Sequence, residues 1–191
     1  NFPTVSKGVK SIIFNAQTDK DNFEIRVFDT ETKSIRKIHS LKNETNLSLS
    51  PDGQTIVLQE KIEGNTEICL INVDGSNLKN ISNNPGTDVA AKFSPDGKQI
   101  VFLSNRGEKG VLDVYLMNAD GSDQKVIFSS GILGTNNSLD WSSDGSSIYF
   151  SNDRENGRNG NFEIFKVATD GNKEVSRLTD RPRFSDESPT L

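Results

Sequence analysis

The stretch "SPDGKQIVF", Ser94 to Phe102, recurs along this chain with its order of residue types kept. Ser50 opens "SPDGQTIVL", Ser142 opens "SSDGSSIYF", and Ser6 opens a worn copy, "SKGVKSIIF". The spacings are 44, 44 and 48 residues. In the turn, Pro51 or Pro95 presets φ at the second position, the Asp side chain bonds backbone groups nearby, and Gly accepts positive φ. Apolar triplets follow: Ile12-Ile13-Phe14, Ile56-Val57-Leu58, Ile100-Val101-Phe102 and Ile148-Tyr149-Phe150. Alternating residues would give a strand with one wet face, whereas an unbroken triplet gives a strand covered on both. Each copy is a hairpin whose second strand lies between two other layers.

Repeats with periods in the forties and four strands per unit are propeller blades. The rest of the unit agrees. An acidic residue before Ile or Val opens a third strand at Glu24, Glu67, Asp113 and Glu163. That strand runs into "VDGS" (Val73), "ADGS" (Ala119) and "TDGN" (Thr169), hairpin turns of the Asp-Gly kind. Repeat one has "TETK" at Thr30 instead, a looser turn without glycine. Fourth strands follow at "SIRKIH", "NLKNIS", "DQKVIF" and "EVSRLT", and no stretch keeps a helical period. The expected fold is all-β: a propeller of four-stranded antiparallel blades over about 1–40, 44–84, 88–130 and 136–180, with 186–191 opening a fifth.

The stretches "FSPDGKQIVFLSNR", "DVYLMNADGSD" and "SRLTDRPRFSDESPTL" together resemble the TolB-like, WD40-like β-propeller repeat, and the resemblance covers essentially the whole chain. It is specific for fold and poor for function. Proteins resembling it include the periplasmic Tol-system propeller, propeller domains that precede serine peptidases, and envelope proteins without an assigned activity. The resemblance implies a bacterial periplasmic or cell-envelope location, with the cytoplasm as the other possibility. The chain starts inside the first blade, so a removed leader would leave no trace.

Composition narrows the partners. With 22 Lys plus Arg dispersed among 27 Asp plus Glu and a formal charge of −5, the chain lacks the basic face that nucleic acid requires. The densest basic group, Lys33, Arg36, Lys37 and Lys42, falls on an outer strand and its loop, where it discourages edge pairing. No apolar run approaches the roughly 18–20 residues of a membrane span. The single Cys69 excludes an internal disulfide and reads as a small buried residue.

No catalytic set is present. The single histidine, His39, ends an outer strand and is expected to be an exposed edge residue; no G-x-S-x-G occurs. One His and one Cys exclude a His- or Cys-rich metal site, and the EF-hand pattern is absent. The Asn- and Arg-rich loop from Asp153 to Asn161 reads as surface loop rather than cation site, and "SSDG" misses the Asp-box spacing. No metal, cofactor or catalytic residue is expected.

A column of polar residues precedes each innermost strand: Glu44, Asp88, Asn136 and Asp186. There they either face one mouth of the central channel, as a binding ring for a protein or peptide, or cap the turn into the strand. The expected function is a non-catalytic, protein- or peptide-binding scaffold. The alternative is a substrate-gating propeller of a serine peptidase-like hydrolase or a carbohydrate-active enzyme whose catalytic part lies outside this chain. The closing "ESPTL" repeats the opening "NFPTV", so the chain reads as four blades plus one strand of a larger ring. Propellers of this kind hold about four to eight blades. An open arc leaves apolar end faces in water, which implies self-association through the end blades.

Overall fold

A computed structural model of the 191-residue chain describes residues 3–4, 10–107, 112–129, 138–152, 162–171 and 174–179. Among them there is no helix. The first sheet holds β1 (Ser11–Gln17), β2 (Phe23–Asp29) and β3 (Ile35–Leu41), with Thr4 bridged to Ile13 on its inner side. The second holds β4 (Ser48–Leu49), β5 (Thr55–Ile62), β6 (Asn65–Asn72) and β7 (Lys79–Asn80). The third holds β8 (Asp88–Phe93), β9 (Gln99–Ser104), β10 (Asp113–Asn118) and β11 (Lys125–Phe128). The fourth holds β12 (Leu139–Trp141), β13 (Ser147–Asn152), β14 (Glu163–Ala168) and β15 (Val175–Arg177). Every sheet is an antiparallel meander in chain order, as propeller blades are.

The apolar triplets of β5 and β9 divide between two neighbours, whereas Ile12 and Phe14 of β1 and Tyr149 of β13 stay half-buried outside the core clusters. On β5, Ile56 and Leu58 join a core with Ile13, Ile25 and Leu41 of blade one, while Val57 joins Ile100, Phe102 and Met117 of blade three. On β9 the pattern repeats: Ile100 and Phe102 point back to blade two, and Val101 and Leu103 point on to blade four. Trp141 is buried in that last wedge with Phe150, and its indole N–H donates to the Lys92 carbonyl of blade three at 3.2 Å. No core cluster among the described residues joins blade four back to blade one.

The repeated turn has one geometry in three blades. Gly53, Gly97 and Gly145 have φ of 72°, 72° and 73°, and each donates its N–H to the carbonyl of the opening serine at 2.9 Å. The serine hydroxyl donates to the turn aspartate and accepts the N–H of the residue that starts the next strand, so one side chain closes both ends. These bonds, first from the serine hydroxyl and next from a backbone N–H, hold Asp52, Asp96 and Asp144 below the usual carboxylate range.

The third turn of the blade, between its third and fourth strands, is a three-residue rather than a two-residue Asp-Gly hairpin. Asn72 closes on Ser76 around Val73-Asp74-Gly75, with positive φ at Gly75 alone, and Asn118 closes on Ser122 in the same way. This is the three-residue form, in which a left-handed glycine follows a type I turn. Repeat one, lacking that glycine, puts Lys33 at φ 58°.

The turn glycines also serve the junctions. A Cβ on Gly97 would lie 3.2 Å from the Pro51 ring of the preceding blade, and one on Gly121 only 2.7 Å from the Ile81 carbonyl oxygen. Gly171 occupies the matching turn of blade four at φ 92°, against 93° for Gly121, yet an added Cβ meets no atom within 4 Å. The two glycines therefore separate backbone strain from blade contact. Gly171→Ala is expected to cost about 1 kcal/mol from left-handed strain alone. Gly121→Ala should cost about 2–4 kcal/mol, because overpacking adds to the same strain. Urea unfolding of both variants measures the difference, and equal losses would contradict the junction contact.

The serine-capped turns also give a pH dependence. Folded Asp144 titrates at about 2 rather than 3.8, so its stabilising contribution is complete above the ordinary value and is lost as pH falls toward about 2. Asp144→Asn is expected to lower stability at neutral pH and to flatten the acid limb of the urea midpoint measured against pH.

Candidate functional site

In an antiparallel meander the first and third turns of every blade share one rim, and the second turns and inter-blade loops share the other. Among the described residues the second rim carries Glu44 and Asp88, which precede or open innermost strands, and the acidic residues that open the third strands. Its best-defined part lies between blades two and three.

Asp88, the first residue of β8, pairs with Ser104 of β9 and is 0% exposed. Both its carboxylate oxygens accept from Arg106 at 3.2 and 3.1 Å, and Asn84 Nδ2 donates to the second of them. The Arg106 guanidinium lies over the rings of Phe102 and Tyr115, 5.1 and 4.8 Å from their centroids, and donates to Ser104 Oγ and Gln124 Oε1. Gln124 in turn donates to the Ile81 and Ser82 carbonyls of blade two. Burial, followed by the Asp113 carboxylate, pushes the Tyr115 phenol up.

The loop between these blades rests on the same group. An added Cβ on Gly86 would lie 2.7 Å from Arg106 Cα, so only glycine lets the loop approach this closely. Asn65 Nδ2 donates to the Asn84 and Gly86 carbonyls, and Asn84 Oδ1 accepts the Gly86 N–H. Polar groups leaving water here are matched to partners, which is what makes such burial tolerable.

Two of the acidic residues that open third strands, Glu67 and Glu163, act as ties between strands. Glu67 is buried and accepts from Ser82 Oγ and Asn65 Nδ2, while Ser82 Oγ accepts the Ile68 N–H. Glu163 repeats the arrangement with Thr179, whose hydroxyl accepts the Ile164 N–H, and adds an ion pair with Arg177 at 3.0 Å. Each ties the end of an outer strand to the start of the third.

The polar column does not form a common ring among the described residues. Asp88 is sealed under Arg106, whereas Glu44 is exposed on the loop before β4. In blade two the residue after Glu44 is held in place: Thr45 Oγ1 accepts the Gln59 N–H at 2.8 Å, and the Thr45 carbonyl accepts from Asn15 Nδ2 at 2.7 Å. Asn136 and Asp186 lie outside the described residues, as does the loop from Asp153 to Asn161.

His39 corrects the edge expectation. It is half-buried, and its Nε2 sits 3.3 Å from Glu60 Oε1 of the next blade. Its neighbours on the strand are exposed: Arg36 donates to the Val73 carbonyl and Lys37 pairs with Glu24, both at the surface. Cys69 is buried as expected, and burial, with Glu60 and Glu67 adding, pushes its thiol up to about 12. Among the described residues no three His, Cys, Asp or Glu side chains converge as metal ligands.

The model of the TolB beta propeller domain matches residues 2–191. The chain belongs to the TolB β-propeller family. The Tol-Pal system protein TolB of Helicobacter hepaticus is 26% identical over 75% of this chain and 35% of its own length. TolB of Acinetobacter baumannii superposes with a TM-score of 0.74 at 24% identity, over 93% of this chain and 42% of that one. An oligogalacturonate lyase in complex with manganese superposes with a TM-score of 0.71 at 14% identity, over 93% and 52%. Likeness at such identities establishes the propeller fold, and this chain spans well under half the length of these TolB proteins.

The repeat pattern does not single out Arg106, Asn65, Asn84 or Gln124, whose roles come from partners on other strands and loops. Breaking the buried pair from either side leaves an uncompensated charge, so Asp88→Ala and Arg106→Ala are each expected to cost about 3–5 kcal/mol. Glu44→Gln should stay within about 0.5 kcal/mol. A double-mutant cycle in urea tests the coupling, and additive losses would show that the pair does not act as a unit.

Proposed function

We propose that this chain is a non-catalytic binding module of the bacterial envelope that meets a protein or peptide partner on the rim carrying Glu44. Its kinship with Tol-Pal system proteins supports periplasmic or cell-envelope placement and a protein partner. The observation that carries the choice of rim is the contrast at Thr45. Its backbone and hydroxyl are pinned by Asn15 and Gln59, while the adjacent Glu44 and Asn46 are exposed. A loop fixed before its partner arrives loses less conformational entropy on binding. Asp88 supports the neighbouring loop from below, and Asn136 and Asp186 are proposed to extend the polar column around the mouth.

The competing reading, a gating propeller for a catalytic part elsewhere, draws on structural likeness of 14–15% identity to lyases and a prolyl endopeptidase, which concerns fold. The imidazole of this chain is engaged by Glu60 between two blades.

A photo-reactive amino acid placed at Glu44 or Asn46 should capture a partner in envelope extracts. The same group at Gln54 or Lys98, exposed near the serine-capped turns of the opposite rim, should not. Capture confined to the Gln54 and Lys98 positions would reverse the assignment.

A further inference from the structure

Two adjacent junctions meet the same electrostatic demand with different cations. At the mouth between blades two and three the cross-strand pair is Ser104 and Asp113, and the permanently charged Arg106 lies nearby on Phe102 and Tyr115. At the mouth between blades one and two the corresponding pair is Glu60 and Glu67. The cation there is conditional, because the group facing Glu60 is the imidazole of His39. His39 stands opposite Ile25, a member of the core between these blades, so its ring faces blade two.

The surroundings leave Glu60 dependent on that ring. Its Oε2 is buried without a hydrogen-bond partner among the described residues, and so is the Gln59 amide nitrogen beside it. The side chains of His39 and Glu60 are only 23% and 25% exposed, so water screens their contact partially. From β6, Glu67 faces the same wedge but is held by Ser82 and Asn65, and the Cys69 thiol stays neutral. From β1 the nearby polar group is the uncharged Asn15, which donates to the Thr45 carbonyl. On β3 itself, Lys37 pairs with Glu24 at 3.2 Å. On β2, Arg26 also pairs with Glu24, at 2.9 Å.

We propose that the junction between blades one and two is a proton-operated latch, tightened when His39 takes up a proton and donates a charge-assisted bond to Glu60. A neutral imidazole offers Glu60 at most one ordinary hydrogen bond, whereas an imidazolium adds the missing positive charge. Protonation places that charge 3.3 Å from Glu60 in a contact only partly open to water, and the junction lacks it when the ring is neutral. The junction between blades two and three has no such dependence, because a guanidinium does not titrate there.

Amide hydrogen exchange resolves the two junctions in one sample. Exchange would be followed strand by strand between about pH 5 and pH 8, after correction for the intrinsic pH dependence of the chemistry. Protection of β2 and β3 should be about three- to tenfold higher at the acidic end, as a charge-assisted bond replaces a neutral one. Protection of β9 and β10 should not follow the same trend. His39→Gln and Glu60→Gln should each abolish the trend in β2 and β3, and either variant suffices if the other does not fold. A trend that survives in a folded variant, or none in the unmodified chain, would overturn the latch.

Discussion

The structure depends on apolar junctions between successive sheets, which cover blades two and three on both faces. A four-stranded blade of two- to eight-residue strands buries little by itself, and its central strands carry apolar residues on both sides. The three clusters that hold the molecule together are therefore junctions, each drawn from two blades and none from one. In such a quasi-linear array stability is a chain of nearest-neighbour terms, and the quality of each junction decides how the next blade is held.

The polar rim follows from that arrangement. Wedge-shaped contacts fill well with apolar groups near the serine-capped turns and open toward the loops, where water would otherwise reach the ladders. Buried acids tied to serine or threonine hydroxyls close the ends of the strands, and Arg106 fills the mouth between blades two and three. The group is amphipathic enough to do both jobs: its plane covers two rings while its edge satisfies Asp88, Ser104 and Gln124.

What could be read from the sequence was whatever repeats locally. The turn of Ser94, Asp96 and Gly97 bonds within six residues, so its pattern announces its geometry, and the triplet of Ile100 to Phe102 announces two buried faces. The site residues fail that test. Arg106 acquires its role from Asp88 and Gln124, each eighteen positions away, and from two rings on separate strands. Glu44 and Asp88 align in the repeat yet differ in burial: Asp88 lies beneath Arg106 and Asn84, contacts that come from outside its own repeat position. His39 looked exposed because the strand on which it lies is an edge, and its partner belongs to the neighbouring unit.

The contact of the Gly97 turn with the Pro51 ring bears on how such a chain can diversify. Proline and glycine of one motif belong to different interfaces: the proline supports the blade ahead, and the glycine leans on the blade behind. Copying a blade within a gene therefore copies two half-interfaces, and the newcomer fits only where its neighbours carry the complementary halves. A substitution such as serine at position 143 in the proline column changes what the following unit must present, while leaving the turn that contains it intact. Drift in this molecule is expected to run in pairs displaced by one blade, so that the heritable unit is the seam and not the sheet.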